Sequence, residues 1–232
     1  STLDLSGNRI KADSTFDGLE PLYNLQSLVC LKLDGNHIFT VKSLENLTYL
    51  ETLSLSNNHI GNVMYLDGMK YLRYLDLDNN SLKTFDASRF PNLERLFLEN
   101  QYDYEKDEDG KAISFTVDDA ECAKIYNSLL TQVLHLDDAP NLVDLRLKGN
   151  DVDDATINSI SALQKLSYLS LSGNKVEDLT FLSNLTELQH LELADCNIPQ
   201  IIQTDSVNAT TGETKTEETN NLSNFASLTK LE

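Results

Sequence analysis

The most regular feature of the chain is a short pattern of leucines that recurs at nearly constant spacing. It is clearest in the second half, where the same order of aliphatic and small residues appears twice, displaced by 22 positions: Leu166, Leu169, Leu171, Asn174 and Val176, then Leu188, Leu191, Leu193, Cys196 and Ile198. Two leucines at spacing two predict a short strand with both side chains on one face. One such strand cannot cover its own apolar face, so the copies are expected to stack.

Further copies of the pattern extend over most of the chain. The first leucines of their spacing-two pairs are Leu3, Leu31, Leu53, Leu75, Leu96 and Leu145. An asparagine follows the strand in six copies, at Asn8, Asn36, Asn58, Asn80, Asn150 and Asn174, and Gln101 or Cys196 stands there in two others. An amide can both donate and accept hydrogen bonds, so it can satisfy main-chain groups of adjacent turns that would otherwise be buried without partners. We therefore predict a ladder of stacked amides.

The pattern L-x-x-L-x-L-x-x-N/C-x-L is the signature of leucine-rich repeats. The segments between strands, such as "SLENLTYL" and "FLSNLTEL", resemble the 22-residue class found in bacterial internalin-like surface proteins, and also the phosphatase-regulator class of intracellular repeats. This resemblance implies an α/β leucine-rich repeat solenoid, with a curved parallel β-sheet on the concave face and short helical or irregular segments on the convex face. We expect a single domain over residues 1–232, forming a segment of a longer array.

Three stretches interrupt the rhythm of the repeats. Residues 11–27 lengthen the first repeat to 28 residues, and extra helical turns are expected there. An insertion at 102–141 begins with an acidic loop, and we expect a degenerate repeat after it, with Ile113 and Phe115 as its inward pair. A second insertion at 199–227 is polar and predicts either a projecting hairpin or a mobile loop.

The composition is strongly acidic, with 37 acidic against 18 basic residues and a net charge of −19. Phosphate would be repelled over most of such a surface, so nucleic acid is not an expected partner. No apolar run approaches the ~20 residues that span a bilayer, so membrane insertion is not expected either.

Cys30 and Cys196 would stand roughly 30 Å apart in the stack. That separation is far beyond disulfide reach, which predicts free thiols.

No set of catalytic residues emerges, and neither an enzyme activity nor a cofactor is predicted. His37 and His59 share the turn position after the ladder residue, and we interpret them as solvated turn residues rather than as a metal pair. Within the acidic loop, residues 105–110 resemble the start of a calcium loop. Thr116 stands where that loop requires a bidentate Glu, so a solvated loop is preferred over a metal site.

The candidate binding surface is the concave sheet, because residues flanking the inward leucines point onto its open side. Its middle carries the aromatic and arginine side chains that dominate binding hot spots, and the candidate residues are Tyr74, Arg95, Phe97, Arg146, Tyr168 and His190. An outward phenylalanine is unfavourable unless something covers it. Phe97 therefore contacts a partner or is covered by the neighbouring insertion. Arg95 and Arg146 have a second interpretation as neutralising partners of Asp144, Asp76 and Glu99 on neighbouring strands.

These observations predict non-catalytic recognition of a protein or peptide ligand through the concave face. The internalin-like resemblance implies an extracellular or cell-wall-attached bacterial protein. Two alternatives stay open: a cytoplasmic scaffold of the phosphatase-regulator type, and a structural spacer within a large surface protein. The sequence does not specify the oligomeric state.

Overall fold

The computed structural model describes residues 1–102, 130–207 and 214–231. Strands in these residues are, in chain order, β1 Thr2–Asp4, β2 Lys11–Ala12, β3 Cys30–Lys32, β4 His37–Ile38, β5 Thr52–Ser54, β6 Tyr74–Asp76, β7 Thr84–Asp86, β8 Arg95–Phe97, β9 Gln132–Leu134, β10 Asp144–Arg146, β11 Tyr168–Ser170, β12 His190–Glu192, β13 Ile201–Val207 and β14 Thr214–Asn220. The first strand of each repeat joins one eight-stranded sheet, in the order β1-β3-β5-β6-β8-β10-β11-β12.

All neighbours in this sheet are parallel, and the inward leucines lie opposite one another. Leu31, Leu53 and Leu75 on three consecutive strands are fully buried. The predicted solenoid with a parallel concave sheet is therefore confirmed. Because the register is the same throughout, each outward side chain lies in a column that runs across the sheet.

Short helices return the chain along the convex side. The 3₁₀ helices span Glu20–Leu22, Lys42–Leu44, Met64–Leu66, Ala87–Arg89, Leu136–Asp138, Ile160–Ala162, Thr180–Asn184 and Asn221–Ser227. In the third repeat, buried residues recur every third position, at Val63, Leu66, Met69 and Leu72. The main-chain N–H groups of Leu66, Met69 and Leu72 each bond the carbonyl oxygen three residues back, at 2.9–3.1 Å. A period of three matches a 3₁₀ turn, so one buried side chain per turn faces the leucines of the sheet.

The α-helix α1, Asp154–Ser159, lies in a repeat that is two residues longer, with 24 positions between Leu142 and Leu166. The side chain of Asp153 caps this helix by accepting a hydrogen bond from the N–H of Thr156 at 2.8 Å. The additional length therefore allows an α-helical turn in place of a 3₁₀ turn.

The predicted amide ladder is confirmed. Asn80 is fully buried, and its Nδ2 donates to the carbonyl oxygens of Leu55 and Leu77, both at 3.0 Å. Its Oδ1 accepts from the N–H of Ile60 at 2.9 Å, in the preceding repeat. The same contacts recur at Asn36, Asn58 and Asn174, and Nδ2 of Asn150 makes the same two donations, to the carbonyl oxygens of Leu98 and Leu147. Each amide therefore links one turn of the solenoid to the turn before it.

A left-handed residue precedes every ladder position. These residues, all with φ between 52° and 76°, are Gly7, Gly35, Asn57, Asn79, Asn100, Gly149, Gly173 and Asp195. Glycine, asparagine and aspartate are the residues that tolerate this region best. The preference is visible in the sequence as Gly or Asn before nearly every ladder residue, a signal that the leucine pattern by itself does not contain.

The lengthened first repeat does not contain the expected extra helical turns. Its additional residues form a bend in which Oδ1 of Asp13 accepts from the N–H groups of Thr15 and Phe16, at 2.8 and 3.0 Å. A single 3₁₀ turn at Glu20–Leu22 follows. The prediction was wrong because the aspartate side chain competes for the main-chain donors that a helix would use.

The first insertion adds no strand to the main sheet. Strand β8 pairs directly with β10, with Leu96 opposite Leu145, so the expected additional repeat has no place between them. Ile113, Phe115 and the acidic loop lie outside the described residues. The chain re-enters at Leu130, which is fully buried like Leu82 in the preceding repeat. Without residues 103–129, 22 positions separate Leu93 from Leu142, the ordinary repeat length.

The second insertion contains a β-hairpin, one of the two forms expected for it. Strands β13 and β14 pair antiparallel through seven residue pairs, from Ile201 opposite Asn220 to Val207 opposite Thr214. The following Asn221 is fully buried, and its amide bonds the main chain of neighbouring turns. The hairpin therefore returns the chain to the solenoid at a buried amide.

One of the two turn histidines, His59, differs from its predicted setting. His59 is only 5% exposed, and its ring stacks on Phe39 at 4.7 Å and on His37 at 6.0 Å. Burial, followed by the neighbouring His37, lowers the pKa of His59 to about 4. His59 is therefore a packed side chain rather than a solvated one, because the turns of the ladder stack closely enough to enclose it.

The predicted free thiols are confirmed for Cys30 and Cys196, and Cys122 lies outside the described residues.

Candidate recognition surface on the concave face

The structure places all six candidate residues on consecutive strands of the main sheet. Tyr74, Arg95, Tyr168 and His190 lie in one outward column, on strands β6, β8, β11 and β12. Phe97 and Arg146 lie opposite each other in the next column, on β8 and β10. The shared register of the repeats therefore brings these residues to one side of the sheet.

Four of these side chains form a row across the sheet, which we call the aromatic–arginine stack: Tyr74, Phe97, Arg146 and Tyr168. The edge of one ring meets the face of the other between Tyr74 and Phe97, with ring centroids 5.2 Å apart. The guanidinium of Arg146 lies 4.3 Å from the centroid of Phe97 and 4.6 Å from that of Tyr168. Both geometries are favourable, because the ring edge and the cation carry positive charge towards a negative ring face.

Acidic residues accept hydrogen bonds from three members of the stack. Asp144 binds Arg146 through both carboxylate oxygens, each at 3.0 Å, and this bond raises the pKa of the guanidinium. The hydroxyl of Tyr168 donates to Glu192 at 2.5 Å, which raises the pKa of Tyr168 to about 12. The hydroxyl of Tyr74 donates more weakly to Asp76, at 3.3 Å. The orientation of the stack is therefore set within the chain itself.

The candidate residues differ greatly in exposure. Phe97 is only 9% exposed, because Tyr74 and Arg146 cover its ring from the neighbouring strands. Arg95 and His190 are exposed. Arg146 pairs with Asp144 of its own strand rather than with an acid across the sheet, while Arg95 forms no ion pair with any described residue. Arg95 and His190 are consequently the candidate side chains most available to a ligand.

A row of acidic residues borders the stack. Burial, together with the adjacent Asp76, raises the pKa of Asp78 to about 8, and burial also raises the pKa of Asp76 and of Glu99. Asp78 accepts a hydrogen bond from the N–H of Glu99 at 2.6 Å. At neutral pH Asp78 therefore holds a proton for most of the time, and the middle of the concave face is less negative than its sequence implies.

Several polar groups of the concave face are fixed by hydrogen bonds to one another, and aromatic rings lie beside charged side chains. Among the described residues, no three His, Cys, Asp or Glu side chains are arranged to hold a metal ion. Nor does the described part of the chain contain a helix that is long and apolar enough to cross a bilayer.

Comparisons with known proteins agree with this architecture. The family model described as "Leucine Rich Repeat" matches residues 71–93, and a second model described as "Leucine Rich repeat" matches residues 46–63. The repeats, their parallel sheet and the amide ladder define the chain as a leucine-rich repeat protein.

Among solved structures, the fold resembles the internalins of Listeria monocytogenes. Internalin C2 aligns with 99% of this chain and 77% of its own, with a TM-score of 0.65 and 22% identity. The internalin InlF aligns with 99% of this chain and 58% of its own, with a TM-score of 0.58 and 22% identity. The plant peptide hormone receptor RGFR1, in complex with RGF2, covers 77% of this chain with a TM-score of 0.54 and 22% identity, over 26% of the receptor chain. At this level of identity the likeness shows the fold.

Two curated relatives match over a shorter segment. The proteins called "Acidic leucine-rich nuclear phosphoprotein 32 family member A" from Drosophila melanogaster and Drosophila pseudoobscura pseudoobscura are each 36% identical to this chain over 75 residues. The match covers 32% of this chain and 28% of each relative. The shared segment is thus about three repeats long.

Proposed function

We propose that this chain binds a protein or peptide ligand, without catalysis, through the concave face of its solenoid. The observation that carries the proposal is the aromatic–arginine stack, in which residues from four neighbouring strands fix one another before any ligand arrives. A surface that is already ordered loses little conformational entropy on binding, so its contacts contribute more fully to affinity. Tyrosine and arginine are also the side chains that most often dominate protein interfaces.

The proposed ligand class has support from a structure with the same fold. The plant receptor RGFR1 was solved in complex with RGF2, so this type of solenoid can hold a peptide hormone. An exposed Arg95 and His190 on either side of the stack give this chain polar groups that can set the orientation of an extended ligand. The acidic row supplies complementary acceptors for its main-chain N–H groups.

The proposed location is the surface of a bacterial cell, where the chain would be secreted or attached to the wall. The resemblance to internalins supports it, since these structures match nearly the whole chain. The test is protease treatment of intact cells of the source organism, followed by immunoblotting. Digestion without lysis is expected, whereas protection until lysis would contradict the surface location.

A second candidate function is that of an intracellular acidic scaffold. Its support is the 36% identity to the Drosophila nuclear phosphoproteins, together with the net charge of −19. Under this alternative the concave face would still bind a protein, but inside the cell. The same protease experiment separates the two locations.

The binding proposal is tested by selecting ligands from a random peptide library against the purified chain. The concave variant replaces Tyr168 with Ser and His190 with Ala. The convex control, Met64→Ser, changes a side chain that is 55% exposed on the opposite side. We expect the dissociation constants of selected peptides to rise at least about tenfold in the concave variant and to stay unchanged in the control. Tyr168→Phe retains the ring and should retain most of the affinity. Equal affinities for the concave and convex variants would contradict the proposal.

A further inference from the structure

The side chains that flank the first leucine of each repeat form two columns at the edge where the strands of the main sheet begin. The residues just before these leucines include Tyr49, Tyr71, Asn92 and Asn141, and the residues just after them include Glu51, Arg73 and Glu94. Strands β5, β6 and β8 each begin one residue after a member of the second column. Because the repeats share one register, members of a column come from consecutive turns of the solenoid.

These columns line an open cleft of about 390 Å³, which we call the edge cleft. Its lining consists of one aromatic ring and five planar polar side chains, namely Tyr71, Glu51, Arg73, Asn92, Glu94 and Asn141. Carboxylate, amide and guanidinium groups each hold two or more polar atoms in one plane, so each can bond two neighbouring groups of a ligand. The volume lies within the usual range of small-molecule sites, about 300–1,000 Å³.

The aromatic wall of the edge cleft is a tyrosine ring that a second ring holds in place. Tyr71 stacks on Tyr49 of the preceding repeat, with ring centroids 5.7 Å apart and planes 7° from parallel. The other face of Tyr71 is therefore directed towards the following repeats, which supply Asn92 and Asn141 to the same cleft. Tyr71 is 58% exposed. The cleft thus combines an uncovered, flat aromatic face with polar groups around it.

The two amides of the edge cleft each keep one polar atom available. Nδ2 of Asn92 donates to the carbonyl oxygen of Lys70 at 2.8 Å, and Oδ1 of Asn141 accepts from Nζ of Lys165 at 2.8 Å. A carbonyl oxygen only accepts and an ammonium only donates, so these contacts determine the orientation of both amides. Within the described part of the chain, no hydrogen bond engages Oδ1 of Asn92 or Nδ2 of Asn141. The amides therefore offer one acceptor and one donor to a ligand.

The charged groups of the edge cleft do not favour an ionic ligand of either sign. Nε and Nη2 of Arg73 donate to the same oxygen of Glu94, at 2.9 and 2.6 Å. With Glu51, the lining has two carboxylates against one guanidinium. Arg73 repels a cationic ligand at this place, and the carboxylates, together with the net charge of −19, repel an anionic one.

A second open cleft of about 430 Å³ adjoins the edge cleft on the concave side, and the two share Glu51, Arg73 and Glu94. Its lining has three cations against three carboxylates: Lys32, Arg73, Arg95, Asp34, Glu51 and Glu94. Neither cleft therefore selects a ligand by its net charge.

We propose that the edge cleft binds a neutral saccharide, with one sugar ring packed on the uncovered face of Tyr71. A flat face of a pyranose ring carries C–H groups, which are apolar and weakly positive, so it packs well on the negative face of an aromatic ring. The hydroxyls around the rim of the sugar both donate and accept, so they match the available amide atoms as well as the carboxylate and guanidinium groups. An apolar side chain in the same place would leave these polar groups without partners. This inference goes beyond the proposed function, because no residue of the aromatic–arginine stack lines the edge cleft.

The experiment screens the purified chain on an array of neutral, acidic and amino-substituted oligosaccharides and measures the bound ones by calorimetry. We expect neutral oligosaccharides to bind. Their dissociation constants should change by less than about twofold between about 0.05 and 0.5 M salt, because screening weakens only interactions between charges.

Substitutions of exposed side chains locate the site. Tyr71→Ala should weaken saccharide binding at least about tenfold, whereas Tyr71→Phe keeps the ring face and should retain the affinity. The matched control Tyr23→Ala removes an exposed tyrosine outside the cleft and should leave the affinity unchanged. Glu51→Gln keeps an acceptor but removes the charge, so affinity for a neutral saccharide should stay within about threefold. Melting temperatures should stay close to that of the original chain, because all these side chains are exposed.

Four results would overturn the saccharide site. The first is that no neutral saccharide binds, and the second is an affinity that Tyr71→Ala lowers no more than Tyr23→Ala does. The third is a preference for cationic ligands that Glu51→Gln abolishes. The fourth is that Tyr71→Ala also weakens the peptides selected on the concave face, because the edge cleft would then belong to the peptide site. The Tyr168→Ser/His190→Ala variant should bind saccharides as the original chain does, so the proposed function can fail while this inference holds.

Discussion

At the scale of single residues, the ladder amides carry a function that no hydrophobic side chain could replace. Each amide has two donor hydrogens and an acceptor oxygen, and the structure uses both ends on main-chain groups of two turns. Cys196 occupies the same space but donates only through its thiol, to the carbonyl oxygen of Leu171 at 3.2 Å. The ladder therefore weakens at the last of these turns.

Replacing Asn80 with Ala should destabilise the fold severely. The carbonyl oxygens of Leu55 and Leu77 and the N–H of Ile60 would lose buried partners, and each unsatisfied group costs about 1–3 kcal/mol. We expect a loss of about 3 kcal/mol or more in the free energy of unfolding, measured by urea denaturation. Asn62→Ala is the control, since Asn62 is exposed and accepts only a long bond from Met64 at 3.4 Å. Similar losses in both variants would contradict the ladder's role.

The buried His59 should make stability fall in acid. Its folded-state pKa of about 4 lies below its ordinary 6.5, so the unfolded chain takes up the proton first as the pH falls. The contribution of His59 is therefore fully present above pH 6.5 and is lost as the pH falls towards 4, by on the order of 3 kcal/mol.

The measurement compares the free energy of unfolding of the original chain and of His59→Phe between pH 7 and pH 4. Asp78 acts in the opposite direction, because its raised folded-state pKa makes stability increase as the pH falls from about 8 towards 3.8. The contribution of Asp78 cancels in the difference between the two proteins. If the free energies of unfolding of the two proteins changed equally with pH, His59 would not titrate as described.

At the scale of elements, each three-residue strand depends on its neighbouring strands for its stability and for the surface that it forms. A single strand contributes one buried leucine and two outward side chains, and the aromatic–arginine stack exists only because β6, β8, β10 and β11 lie side by side in one register. No strand of this length is stable alone, so the surface and the fold form together.

Phe97→Ala should therefore lower stability rather than remove an exposed contact alone. Burial of Phe97 beneath Tyr74 and Arg146 leaves it 9% exposed, and core Phe→Ala substitutions cost 3–5 kcal/mol. Because one side of the stack faces solvent, we expect about 2 kcal/mol, measured by thermal or urea unfolding. Phe97→Leu should recover part of this loss, and His190→Ala should change stability by less than about 0.5 kcal/mol. If the Phe97→Ala protein were as stable as the original, Phe97 would not contribute to packing, and its only role would be contact with a ligand.

At the scale of the whole molecule, the solenoid accepts a long interruption without changing its repeat. Strand pairing passes from β8 to β10, and Leu130 resumes the buried position that Leu82 holds one repeat earlier. The main-chain N–H of Gln101 donates to Oδ1 of Asn150 at 3.0 Å. In other repeats this amide oxygen accepts from the residue two positions after the ladder residue, as Asn80 does from Ile60 and Asn174 does from Val152. Stability in such an array depends on contacts between adjacent turns, so an insertion that keeps those contacts is tolerated.

Deleting residues 103–129 and joining Tyr102 to Leu130 should consequently give a folded chain with one continuous run of repeats. We expect the N–H of Leu130 to take over the bond to Asn150, and a shorter loop closure to offset small local losses. Circular dichroism and urea unfolding should show stability within about 2 kcal/mol of the original. The control deletion of 103–131 also removes Leu130 and shifts the repeat by two residues, so it should destabilise clearly. Equal stability of the two deletions would refute this assignment of the repeat frame.

The leucine period determined more of this protein than any other feature of its sequence. Inward leucines, buried amides and a parallel sheet all follow from side chains that repeat every 22 residues, because each turn can cover its apolar face only against the next. Outward columns follow from the same register, which is why the sequence could already group Tyr74, Arg95, Phe97, Arg146, Tyr168 and His190 on one face. The predicted role of these residues in binding stays a prediction.

Only the tertiary structure decided how those outward side chains use one another. The sequence could not show that Arg146 lies between two rings and binds Asp144, that Phe97 is covered, or that His59 is buried against Phe39. It also could not show that Lys32 and Arg95 share a cleft. The physical reason is that periodicity specifies the direction of a side chain from its strand, whereas its contacts depend on the rotamers and charges of residues that are one or more repeats away in the chain.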